Sequence, residues 1–193
     1  MTGYDKEIYT LIASALAIYA FIPYIKSVLA GTAKPHIFTW VIWALITFIA
    51  FAGQWTAGGG MGSAVSFIVA ALSLVVVFLS LKSGEKNITK GDWVMFILSL
   101  ISIPLWLITK DPFWSVAIVT LIDLAAYWPT IRKSWQKPHE EPALMYGLGF
   151  VRHILTIFAM ESMNPTTIIF PAILVLGNAV TFLLLIYRRK VLA

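Results

Sequence analysis

Seven continuous apolar runs constrain this chain more than any other feature. They lie near Glu7–Ser27, Pro35–Gln54, Ser63–Leu81, Asp92–Thr109, Pro112–Ile131, Pro142–Met160 and Thr166–Tyr187. Each holds about 18–22 residues, and at ~1.5 Å per residue a helix of that length crosses a ~30 Å hydrocarbon core. The runs do not alternate apolar with polar, so helices are expected rather than a β-barrel. Only 12% of the 193 residues are charged and 60% are hydrophobic, where an ordinary soluble domain has roughly 25% charged residues. That leaves too little polar side chain to cover a water-facing surface. The expected class is an all-α polytopic membrane protein with seven transmembrane helices. There is no Cys, which excludes disulfide and thiol chemistry. The first residues carry no basic n-region, so no cleavable signal peptide is expected.

Basic residues orient the spans. Lys26, Lys34, Lys82, Lys86, Lys90, Arg132, Lys133, Lys137, Arg188, Arg189 and Lys190 fall on one side. Only Lys6 and Lys110 fall on the other, and Arg152 alone remains inside a span. Short cytoplasmic loops collect Lys and Arg, so the N-terminus is expected outside and the C-terminus in the cytoplasm. That arrangement requires an odd number of spans. The net charge of +5 then reads as basic loops, and no nucleic-acid partner is expected. The expected location is a prokaryotic inner membrane, with the lipid bilayer as surroundings. Trp55, Trp93, Trp106, Trp114, Trp135 and Tyr187 sit near span ends, where such rings anchor at the interface. The sequon Asn87-Ile88-Thr89 falls on the cytoplasmic side, and Asn164-Pro165-Thr166 carries the proline that forbids glycosylation.

The chain repeats itself. Pro23-Tyr24-Ile25-Lys26 aligns with Pro129-Thr130-Ile131-Arg132, and Pro35-His36-Ile37-Phe38 with Pro142-Ala143-Leu144-Met145. Residues 1–90 form a first three-span unit, 91–110 a linker span and 111–193 a second three-span unit. Four spans separate equivalent elements, so the halves point the same way. The expected architecture is two parallel three-helix bundles joined by a linker helix, with a site between the halves near mid-membrane.

Three charged or amide side chains share one depth. Asp123 lies nine residues before Arg132, Arg152 ten after Pro142 and Asn178 ten before Arg188, which is ~14–15 Å along a helix in each case. Charges at that depth are costly and usually functional. Helical spacing puts Thr120, Asp123, Tyr127 and Thr130 on one stripe, and Arg152 on a face with Gly149 and Thr156. Gly147 and Gly149 leave room for a close partner or ligand. Thr39, Trp43 and Thr47 form another stripe, with Trp40 beside it. An aromatic ring with hydroxyls suits a sugar or another small polar solute. Three readings of the charges stay open. Asp123 and Arg152 form an ion pair that locks two helices, Arg152 binds an anionic group of the solute, or Asp123 carries a proton coupled to transport. His153 is a candidate relay. Glu140 and Glu141 read as a solvated cap or gate beside Lys137 and His139. Interior prolines remove a backbone hydrogen bond and bend a helix, so Pro23 and Pro129 are candidate hinges. Pro104 and Pro171 have no repeat mates and read as structural.

The proline, basic residue and turn at the end of the first span of each unit resemble the PQ-loop motif. The family's Gln is Tyr24 in one copy and Thr130 in the other. The three-one-three layout, the outside N-terminus and Asn178 are similar to the SWEET sugar transporters and their PQ-loop relatives. That resemblance implies hinges at Pro23, Pro35, Pro129 and Pro142. It implies a substrate-lining role for Asn178, with Ser66 or Ser73 as its counterpart in the first unit. It also implies proton coupling, as in relatives that export amino acids from lysosomes.

The function expected is alternating-access transport of a sugar or amino-acid-like solute, with protons as a candidate co-substrate. Asp123, Arg152, Asn178, Trp43, Tyr127 and Trp40 are the expected site. The alternative is a seven-helix receptor resembling the KDEL receptor, binding a peptide carboxylate through Arg152. No enzyme is expected, since no nucleophile and base pair stands beyond Asp123 and His153. Three scattered His offer no metal site, and no cofactor loop is present. One chain holds both halves, so a pathway needs no second copy, although a homo-oligomer is compatible.

Overall fold

The computed structural model describes residues 3–31, 35, 37–84, 90–136, 138–140 and 143–192. Among them are seven α-helices and no strand: α1 (Gly3–Leu29), α2 (Ile37–Thr56), α3 (Ala64–Ser83), α4 (Lys90–Thr109), α5 (Pro112–Gln136), α6 (Ala143–Ala159) and α7 (Pro165–Val191). Short 3₁₀ turns cover Gly60–Ser63 and Pro138–Glu140. The stretches Tyr4–Leu29, Ile37–Thr56, Gly60–Lys82 and Pro165–Val191 are long and apolar enough to cross a membrane, while Trp93–Thr109, Pro112–Ala125 and Ala143–Ala159 are shorter apolar helices. This is an architecture compatible with an integral membrane protein. Apolar side chains face outward as such a protein requires, Ile108 being 79% exposed and Leu107 73%. Trp55, Trp93, Trp114, Trp135 and Tyr187 are likewise exposed near helix ends, and Trp106 is half-buried.

The helices overrun the expected apolar limits. α1 begins at Gly3, α5 continues past Ile131 to Gln136, and α7 continues past Tyr187 to Val191. Hydropathy marks only the hydrocarbon segment, whereas intrahelical hydrogen bonds continue until a cap ends them. Lys26 and Arg188, Arg189 and Lys190 in last turns complement the negative end of the helix dipole. α2 starts at Ile37 rather than Pro35. Pro142, Glu141 and Asn87-Ile88-Thr89 lie outside the described residues, as do the side chains of Pro129, Thr130 and Glu140.

Buried hydroxyls are made compatible with apolar surroundings by their own helices. Ser73 donates to Val69 O, Ser80 to Val76 O, Thr120 to Val116 O and Thr181 to Gly177 O at 2.6–2.9 Å. A hydroxyl bonded four residues back costs little when buried.

The packing has an approximate internal symmetry. α3 packs against both α1 and α2, and α7 against both α5 and α6. Across the middle, α1 packs on α6 and α2 on α5. Exchanging α1, α2 and α3 for α5, α6 and α7 reproduces these contacts, although α2 also touches α7 with no comparable contact between α6 and α3 among the described residues. α4 leans on α5 and α2. A core of Ile42, Ile46, Ile49, Val116, Val119, Ile122, Phe170 and Leu174 joins α2, α5 and α7.

Two loops interlock at one end. Glu161 N donates to Gly59 O (3.1 Å) and Ser162 N to Gly58 O (3.0 Å), joining the α2–α3 connection to the α6–α7 connection. The Glu161 carboxylate accepts from Met61 N (3.0 Å), and Lys6 Nζ reaches Glu161 O (2.9 Å). Asn164 Nδ2 bonds Ala57 O (2.8 Å). The starts of α1, α3 and α7 therefore meet the ends of α2 and α6 here. The start of α5 joins them through Val116, which occupies the space a Cβ on Gly53 would need. Equivalent helices of the two halves thus run in the same sense. At the opposite end Arg188 lies over the Trp135 ring at 4.5 Å and donates to Trp135 O, tying α7 to α5.

Candidate functional site

A cavity of about 530 Å³ lies between the two sets of three helices. Among the described residues its walls come from α1, α2, α3, α5, α6 and α7 and not from α4. All six expected site residues line it: Trp40 and Trp43 from α2, Asp123 and Tyr127 from α5, Arg152 from α6 and Asn178 from α7. Toward the interlocked loops the wall reaches Ser66 and Thr156. Toward the other end it reaches Tyr24, Thr39 and Met145, within the first turns of α2 and α6 or the last turns of α1.

Asn178 organises the second half. Its Nδ2 donates to Leu174 O (2.8 Å) and to the Tyr127 hydroxyl (2.7 Å). The carbonyl at Leu174 can only accept, which fixes the amide orientation. Both amide hydrogens are then used, and the Tyr127 hydroxyl, having accepted, keeps its own hydrogen to donate. Two glycines make this approach feasible. A Cβ on Gly177 would sit 2.7 Å from the Tyr127 ring, and one on Gly149 would collide with the Asn178 amide oxygen. The space expected beside Gly149 is thus filled by Asn178, a neighbour on α7.

Asp123 and Arg152 share the cavity and lie within electrostatic reach of each other. No hydrogen bond or ion pair of 4.0 Å or less joins them among the described residues. The Arg152 guanidinium instead lies 2.7 Å from His153 Nε2. Arginine can only donate, so Nε2 accepts and the His153 proton sits on Nδ1. His153 is buried and serves as a fixed acceptor that orients the guanidinium.

The first half contributes rings. Tyr24 packs on Trp40 with centroids 5.0 Å apart, Phe21 on Trp40 at 5.9 Å, and Trp40 against Trp43 at 5.1 Å and nearly perpendicular. Ser66 lines the cavity but donates to Gln54 Oε1 (2.8 Å), and Ser73 bonds its own helix. Neither reaches across as Asn178 does. Thr120, expected on the Asp123 stripe, is buried against Val116 O and is not part of the wall. The reason is azimuth: that hydroxyl sits where α5 turns into the apolar core.

Of the four expected hinge prolines, Pro23 lies inside α1 and is exposed, Pro129 lies within α5, and Pro35 is buried just before α2. Pro104 and Pro171 lie inside α4 and α7. Sequence reading overlooked Phe21 and Tyr24 as wall residues, although the offset that sets Pro23 against Pro129 also sets Phe21 against Tyr127. It also overlooked Glu161 as the centre of the loop lock and Gln54, fully buried between Ser66 and Thr167 O. No local signal marks these two, because their partners lie far along the chain. Among the described residues no cluster of His, Cys, Asp or Glu could hold a metal ion. Comparisons with family models, with curated proteins and with solved structures find no match to this chain.

Proposed function

We propose that this chain is a membrane transporter of a small polar solute that works by alternating access between two three-helix bundles. In this reading the chain has seven spans, an outer N-terminus and a cytoplasmic C-terminus, and α4 is the linker. The observation that carries it is one cavity shared by both sets of helices, with Asp123, Arg152, Tyr127 and Asn178 on its wall. Its volume falls in the range of small-molecule sites, about 300–1,000 Å³. The packing relates two sets of three helices, and the α2–α3 and α6–α7 connections are joined at one end; in this reading the two sets rock against each other and the joined connections form one gate. The resemblance to PQ-loop and SWEET transporters points the same way. Asp123 is the candidate proton carrier.

The test is flux. The purified chain in liposomes is expected to take up at least one labelled sugar, amino acid or nucleoside in a saturable manner. If uptake is driven by a pH gradient, Asp123→Asn is expected to abolish that drive. Absence of flux for every solute, together with saturable binding of a peptide through its carboxylate, would favour the receptor reading instead.

A further inference from the structure

The two halves present different chemistry to one cavity. Asp123 and Arg152 bring opposite charges, and neither is bonded to the other among the described residues. Phe21, Tyr24, Trp40 and Trp43 form a connected run of rings on the other half. From this we infer that the solute is a zwitterionic amino carboxylate with an apolar, preferably aromatic, side chain. The inference rests on reading the cavity as a solute site.

Charge matching decides the head group. A guanidinium oriented by His153 retains N–H donors in a planar fork that fits a carboxylate. A carboxylate at Asp123 is acceptor-only and matches an ammonium. An uncharged sugar would leave the two charges with only each other, unbonded, in surroundings where poorly matched charge is costly. An anion alone would leave Asp123 unmatched and facing like charge, and a cation alone would do the same to Arg152. A zwitterion satisfies both while Asp123 is ionised, and the loaded cavity is then neutral, which suits passage through a low-dielectric site. The Tyr127 hydroxyl, which accepts from Asn178, adds a donor for the carboxylate side.

Shape and polarity decide the tail. The wall from α1 and α2 is mostly ring and hydrocarbon, with the hydroxyls of Tyr24, Thr39 and Thr47 set among them and Ala17 at the repeat position of Asp123. Offset and edge-on ring contacts favour an apolar or aromatic side chain there. A small polar amino acid would leave the rings without a partner.

The experiment uses the full chain in liposomes with labelled L-phenylalanine. Competitors are 3-phenylpropionate, which lacks the ammonium, 2-phenylethylamine, which lacks the carboxylate, glycine, which lacks the side chain, and D-glucose. Binding of L-phenylalanine is followed in parallel by scintillation proximity in detergent. The expected result is saturable L-phenylalanine uptake and binding, with each competitor weaker than unlabelled L-phenylalanine by at least about tenfold, as the loss of one charged hydrogen-bond match implies. Equal competition by either half-analogue or by glycine overturns the inference. Glucose flux without effect of amino acids overturns it while leaving the transporter reading in place. Saturable L-phenylalanine binding without flux supports the zwitterion site and overturns transport. Neither binding nor flux of L-phenylalanine overturns the inference. As a further check, Asp123→Asn is expected to raise the relative competition by 3-phenylpropionate, and Arg152→Gln that by 2-phenylethylamine. Because the competition profile is measured on the unaltered chain, the conclusion does not depend on either variant folding.

Discussion

Asn178 is the residue through which α5, α6 and α7 are fitted together. Its amide bonds Tyr127 on α5 and packs at Gly149 on α6, while Gly177 beside it receives the Tyr127 ring. Gly177→Ala places a methyl 2.7 Å from that ring, and the ring cannot yield without giving up the Asn178 bond. Overpacking of this kind costs about 1–3 kcal/mol, so a lower unfolding midpoint in detergent is expected, with weaker solute binding. Tyr127→Phe keeps the ring and removes only the acceptor. It is expected to cost about 0.5–1.5 kcal/mol, and the same thermal measurement ranks the two. Asn178, Tyr127 and Gly149 were each legible as residues, from depth and helical spacing. That they touch was not, because sequence gives a side chain's depth and face within its own helix but not the rotation of one helix against another. Thr120 shows the same limit: on the right stripe, it points into the core.

α7 shows how an element is started as well as where it lies. Asn164 accepts from Thr166 N and Thr167 N, while the Thr167 hydroxyl accepts from Asn164 N, forming a capping box, and Pro165 occupies the first turn. Asn164→Ala is expected to lower stability by about 0.5–2 kcal/mol, with Asn164→Ser recovering part of it, as read by thermal unfolding. Since Asn164 Nδ2 also reaches Ala57 O, the loss extends to the loop lock. In α1 the helix continues through Pro23, which forfeits one backbone bond. Pro23→Ala restores that bond. Under the transport reading it is expected to raise the unfolding midpoint and slow uptake severalfold. A raised midpoint with unchanged uptake would mark Pro23 as a static bend. The proline positions were legible in the sequence. Their mechanical role was not, since a kink and a hinge have the same composition.

At the scale of the molecule, the α2–α3 and α6–α7 connections are joined at one end of the bundle, and the transport reading makes them the outer closure of the cavity. Glu161 joins these connections through Met61 N and its own backbone contacts with Gly59 and Lys6. The chain has no Cys, so single introduced thiols report access cleanly. Under the proposed orientation and transport reading, Ala20→Cys, on the cavity wall, is expected to react with a membrane-impermeant maleimide from the cytoplasmic side and poorly from outside. Adding Glu161→Ala is expected to raise outside labelling severalfold by removing the acceptor of Met61 N. Fast outside labelling of Ala20→Cys without that change would show that the lock does not close the outer entrance.

The sequence by itself determined the helical class, since apolar runs of such length must satisfy their backbone bonds internally. It also marked the residues whose burial demands a reason. Tertiary structure decided which of these meet. It gathered Asp123, Tyr127, Arg152 and Asn178 with the Phe21, Tyr24, Trp40 and Trp43 rings around one cavity, left the two charges unbonded to each other, and joined Glu161 to a loop a hundred residues earlier. Those outcomes depend on the rotation and approach of packed helices, fixed at Gly149 and Gly177 by the absence of a side chain, and no pattern along a single helix encodes them.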